Sequence, residues 1–172
     1  GVLEIGYSLK IDDSVPEPMR IGIQGQFSKV YDTVTYFGRG PQETYSDRYE
    51  GVFYGKWTGN VDEMMTQYVY PQENGNRTGV KWIEYTDSKG RGVFVSGDRE
   101  LNISVWNTTQ DDLYEAKHIG EAELLEDSFV VNIDLIQCGV GGTDSWSSDS
   151  RPYTPYRISD KEYSYSFTIR SN

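Results

Sequence analysis

The 172-residue chain is poor in the residues that build metal centres and disulfides, with one cysteine, Cys138, and one histidine, His118. One cysteine excludes an intramolecular disulfide. One histidine excludes a histidine-rich metal site and any mechanism that needs two imidazoles. Cys138 lies in the apolar run VVNIDLIQCGV and reads as a small buried hydrophobe. No stretch approaches the roughly 20 apolar residues of a helical membrane span. No signal-peptide pattern is present, but the chain opens on Gly1 without methionine and reads as a processed product or an excised piece. Basic residues are also scarce: 16 Lys and Arg against 27 Asp and Glu leave a net charge of −11. Such a surface repels phosphate backbones and anionic membranes, so neither nucleic acid nor membrane is an expected partner. A neutral ligand such as a sugar is compatible with it.

Aromatics are abundant at 14%, with 14 tyrosines and four tryptophans, and there are 18 glycines. Tyrosine and tryptophan suit strands and half-buried surfaces, and glycine suits turns. LEIGYSLKI, RIGIQGQF and TVTYFGRG alternate apolar and polar residues as strands do. KWIEYTDSKGRGVFVSG reads as a hairpin turning at Asp87–Gly90, and LNISVWNTT as a further strand. FVVNIDLIQCGV reads as a central strand covered on both faces. In the tail, Tyr163, Tyr165, Phe167 and Ile169 fall on one side. Helix signals are limited to two turns over 61–68 and a short helix capped by Asp111. The expected fold is one mainly β domain, an antiparallel sandwich with short helical connections. The N-x-[ST] triplets at Asn76, Asn102 and Asn107 read as chance matches, because two fall in or beside strands.

Three loops concentrate chemistry. GRGPQETYSDR, 38–48, puts Glu43 and Asp47 near Arg39 and Arg48. It reads either as a sugar-hydroxyl or acid/base site or as an ion-pair cluster that holds a loop, and arginine–carboxylate pairs favour the second. PQENGNRTG, 71–79, places Glu73 within reach of Arg77 around a glycine turn. GGTDSWSSD, 141–149, has tryptophan without an apolar neighbour. Gly141 and Gly142 permit a sharp turn, Asp144 and the serines can hold an irregular loop, and Trp146 is then presented outward. A flat indole suits the C–H face of a sugar ring, and equally an interface or a core plug. His118, beside Glu115 and Lys117, reads as an ordinary hydrogen-bonded residue.

Together GRGPQETYSDR, YVYPQENGNRTGVKW, NIDLIQCGVGGTDSW and the tyrosine-rich last strand resemble the C-terminal small-chain domain of large bacterial β-galactosidases of glycoside hydrolase family 2. The family pattern is G-x-G-P-x-E-N-Y-x-D-R, then Y-[VI]-x-P-x-E-N-G, then N-x-D-x-x-x-x-G-[IVL]-G-G-x-D-S-W. Thr44 departs from it, at a position where the family commonly has asparagine. The resemblance implies a β-supersandwich related to the galactose mutarotase fold, with residues 1–172 as one domain whose N-terminal part is missing and whose unpaired strands leave open edges. It implies that the catalytic glutamates lie on a separate TIM barrel, since a barrel alone takes about 250 residues. Trp146 is then a substrate-stacking residue at the aglycone side, with Gly141, Gly142 and Asp144 shaping its loop. Glu43, Asp47, Arg48, Glu73 and Arg77 become structural ion-pair loops. The parent is expected to use Mg2+ and Na+ near the barrel, to be a homo-oligomer, and to occupy the cytoplasm or periplasm of a bacterium; no metal site is expected in this chain. The rivals are a free-standing carbohydrate-binding module, an aldose mutarotase, which the lone histidine disfavours, and a purely structural interaction domain.

Overall fold

The computed structural model describes residues 1–118, 120–144, 147 and 150–172. Eight strands dominate: β1 (Val2–Lys10), β2 (Arg20–Ser28), β3 (Thr33–Gly40), β4 (Phe53–Asn60), β5 (Arg77–Thr86), β6 (Gly92–Trp106), β7 (Ser128–Gln137) and β8 (Glu162–Ser171). A six-residue helix, α1 (Gln110–Glu115), and two single 3-10 turns complete the described elements. Every strand pairing is antiparallel, and the sheet is open, as in a β-sandwich.

The order is β1-β8-β6-β5-β3-β4, and β7 joins β6 to β2. β6 makes this branching possible. Its first half, Val93–Gly97, pairs with β8, and its second half, Asn102–Trp106, pairs with β7. One 15-residue strand therefore serves two neighbours along one edge. The sequence suggests two separate strands here, because the polar Gly97–Glu100 stretch interrupts the apolar pattern. The Tyr165 hydroxyl donates to the Ile133 carbonyl at 2.8 Å and ties the two branches together. Between them lies a core that includes Val34, Ile83, Tyr85, Leu101, Ile103, Phe129, Ile133 and Phe167. Each such side chain contributes about 1.5–3 kcal/mol by leaving water.

β4 is absent from the sequence reading. Its inward positions carry Gly55, Trp57 and Gly59, so glycine hides the alternation. The two turns expected over 61–68 shrink to one 3-10 turn, Val61–Glu63. Beyond it, Arg77 takes the Met64 carbonyl at 2.9 Å and Asn74 takes the Thr66 amide at 3.1 Å, which withdraws both groups from a helical ladder. α1 is capped by Thr109, whose hydroxyl accepts from the Asp112 amide; Asp111 lies inside the first turn. The β5–β6 hairpin turns where expected, with Asp87 accepting from the Lys89 and Arg91 amides. Asn76 and Asn107 are buried, so neither is a surface acceptor for a glycan.

Candidate functional site: a cleft beside the base of the 139–156 loop

β3 delivers the chain at Gly40 into the 41–52 loop, after a cis Gly40–Pro41 bond. Glu43 is the hub of this loop. Its carboxylate accepts the Gly75 amide at 2.7 Å, receives the Tyr68 hydroxyl and pairs with Arg48. Burial acts to raise its pKa, but the Gly75 amide, the Tyr68 hydroxyl and Arg48 together hold it below the ordinary carboxylate value. Thr44, at the position where the family pattern has asparagine, is fully buried. Its hydroxyl accepts the Thr78 amide at 2.8 Å and bonds the Thr78 hydroxyl at 3.0 Å, so a threonine pair occupies the position. Asp47 bonds to backbone: it accepts the Val140 amide at 3.1 Å and the Gly141 amide at 2.7 Å, across 93 and 94 residues of chain. The 38–48 loop is thereby an ion pair at Glu43–Arg48 and a backbone clamp at Asp47.

Glu73 and Arg77 do not meet. The left-handed Gly75 turns the chain between them. Arg77 is buried and donates to the carbonyls of Met64, Gly75 and Pro41, fastening three loop segments. Glu73 lies 3.6 Å from Arg20 and accepts the Tyr45 hydroxyl at 3.2 Å. Arg20 in turn faces Asp134 of β7 at 3.1 Å, close enough for an ion pair though misaligned for a hydrogen bond, and lies over the ring of the buried Trp106. Burial pushes the Asp134 pKa up to about 7, with Glu73 adding to the rise and Arg20 opposing it. Burial likewise raises Glu73, against Arg20 and Tyr45. The sequence reading does not bring this cluster together. Its signals are an aspartate inside the apolar run of β7 and an arginine opening the apolar strand β2, each a charge that needs a distant partner.

A cleft of about 680 Å3 opens beside the clamp, lined by Gln42, Glu43, Asp47, Arg48, Tyr49 and Tyr156, among others. It offers carboxylates, a guanidinium and two tyrosines, groups that hydrogen-bond and pack against polyols. Residues 139–144 follow the end of β7 at Gln137. Asp144 accepts the Ser147 amide at 2.7 Å and the Ser147 hydroxyl at 3.0 Å, and its carbonyl receives the Ser150 hydroxyl. At Gly142 an added Cβ would lie 2.5 Å from the Ser150 hydroxyl oxygen, so that side chain would have to move aside. Trp146 lies outside the described residues. His118 is exposed and bonds Glu121 at 2.9 Å. Among the described residues no group of three or more His, Cys, Asp or Glu is placed to hold a metal.

Against known proteins, the family model described as beta galactosidase small chain matches residues 1–169. A β-galactosidase of Priestia megaterium is 35% identical over 173 residues, covering 99% of this chain and 16% of that protein. A β-galactosidase of Leuconostoc mesenteroides is 35% identical over 153 residues, covering 89% and 14%. One of Vibrio cholerae is 30% identical over 168 residues, covering 98% and 15%. The chain thus spans about a sixth of the length of the curated relatives it matches. With a match along almost its whole length, the chain belongs to the beta-galactosidase small-chain family.

Proposed function

We propose that this chain is the small-chain part of a larger, retaining β-galactosidase that hydrolyses terminal β-D-galactosides such as lactose. The observation that carries the reading is its near-complete match to β-galactosidases of which it forms only about a sixth. A retaining glycosidase needs two carboxyl groups about 5 Å apart, one as nucleophile and one as acid/base. These lie on a TIM barrel elsewhere in the polypeptide, together with the Mg2+ and Na+ of the parent. This chain supplies no catalytic group. Its contribution is Trp146, presented by Gly141, Gly142 and Asp144, which stacks on the sugar at the aglycone side of the barrel's pocket.

A free-standing carbohydrate-binding module is the competing assignment, and it calls for exposed tryptophans in a row. The described tryptophans do not form one: Trp106 is buried, Trp57 packs on the core, and Trp82 stacks on Phe37 and Phe94. The test is Trp146→Ala in the full-length polypeptide. Binding of the leaving group and transfer to a sugar acceptor weaken more than galactosyl chemistry does. Unchanged kinetics with lactose defeats the stacking role.

A further inference from the structure

We propose that Asp47 is a positioning residue for the loop that carries Trp146, an inference that rests on the stacking role given above. Asp47 sits on the 41–52 loop, distant in sequence from residues 139–156, yet its two carboxylate oxygens accept consecutive amides at the start of that segment. Charge-assisted bonds of this kind are about twice as strong as neutral ones. The residue just before them, Gly139, donates its amide to the Tyr156 carbonyl at 2.8 Å. Residues 139–141 are therefore held from two sides, by Asp47 and by the far end of their own loop. The loop is pinched shut at its base. Asp144, accepting from Ser147, holds the chain again on both sides of position 146.

The approach is sterically specific. A Cβ on Gly139 would lie 2.4 Å from the Asp47 carboxylate and 2.9 Å from the Tyr156 Cβ. One on Gly141 would lie 3.0 Å from the same carboxylate. Gly139 thus admits a carboxylate that a larger residue would displace, and Gly141 lets it approach closely. The neighbouring Arg48 pairs with Glu43, which leaves Asp47 directed at backbone. Asp47 and Tyr156 both line the cleft, so the same clamp shapes its wall. Fixing residues 139–141 lowers the entropy that the segment following them has to lose on binding.

The test uses the full-length polypeptide, with lactose as substrate, and the variants Asp47→Ala and Trp146→Ala singly and together. Asp47→Ala raises KM by about five- to tenfold with a smaller change in kcat, and the double variant is no worse than Trp146→Ala alone, as for two residues acting through one contact. Asp47→Asn, which keeps one acceptor, falls between. Gly139→Ala raises KM similarly, and adds nothing on the Asp47→Ala background. Hydrogen exchange at the Val140 and Gly141 amides is slow in the wild type and fast in Asp47→Ala. Effects that multiply in the double variant, or a lower melting temperature with unchanged KM, overturn the positioning role. If Trp146→Ala alone leaves the kinetics untouched, the stacking role fails and takes Asp47's part in sugar binding with it. Exchange unchanged by Asp47→Ala shows instead that the clamp itself is wrong.

Discussion

Two loops of similar composition, 38–48 and 71–79, handle their carboxylates in opposite ways. Glu43 in the first is met by an amide, a hydroxyl and a guanidinium, so it stays ionised in spite of burial. Glu73 in the second shares a single arginine, Arg20, with the buried Asp134, and both acids are pushed upward. Each loop has a glycine turn and an acid within a few residues of a base. The difference is in the number of donors that the rest of the chain brings. Glu43 gathers them from 48, 68 and 75, whereas Glu73 and Asp134 meet across strands with one cation between them. A buried carboxylate is kept charged by local donor count, not by the nearest base in sequence.

The largest expected effect comes from removing the shared cation. Arg20→Met leaves Asp134, with a side chain only 2% exposed, without its partner. Stability falls by up to about 3 kcal/mol, the lower end of the range for breaking a buried pair, because Asp134 takes up a proton once its partner is gone. Chemical denaturation at neutral pH reads it, and a loss below about 1 kcal/mol, the value of a surface pair, breaks the contrast between the loops. The loss shrinks in acid, where Asp134 takes up a proton.

Next in size is a pH effect with an unusual sign for an acid. With a folded pKa raised to about 7 against an unfolded value of about 3.9, the native state holds a proton that the unfolded state releases. Relative to Asp134→Asn, the wild type therefore loses stability as pH rises from about 4 to about 7 and is level above that. Glu43 acts in the opposite sense. Its depressed pKa adds stability above the unfolded value of about 4.3, lost as pH falls through the folded value. Denaturation midpoints across pH for the two variants Asp134→Asn and Glu43→Gln separate the contributions, and parallel profiles would remove the distinction. At pH 7, Glu43→Gln weakens the fold by about 1–3 kcal/mol, since the Gly75 amide and Arg48 lose a charged acceptor.

The smallest effect is expected at His118. Its ring is largely exposed and bonds Glu121 at the surface, so His118→Ala leaves melting temperature and lactose kinetics unchanged. A measurable loss of activity would return the histidine to the list of functional groups and revive the mutarotase alternative.

Much of the architecture was legible because strands write themselves locally. The alternation in TVTYFGRG matches β3, with Val34 and Tyr36 buried and Thr35 and Phe37 turned out. The largely apolar run of β7 matches a strand covered on both faces, with residues 129–134 all buried. Where glycine replaces a side chain, as in β4, the pattern disappears, and where one strand serves two neighbours, as in β6, nothing local announces it. The three site loops were legible as motifs, because glycine, asparagine and aspartate in irregular stretches have specific backbone uses.

By itself, then, the sequence determined a mainly β chain with an acidic surface, a nearly complete set of strands, and the three motif loops that place it in its family. Only the tertiary structure decided which side chain answers which. It paired Glu73 with Arg20 instead of Arg77, sank Asp134 beside them, and aimed Asp47 at the amides of residues 140 and 141. The physical reason is range. Strand patterning is set by each residue's preference for water or core over a few positions. Ion pairs and backbone clamps depend on distances between segments about 50 to 115 positions apart, which exist only once the sheet has closed them together.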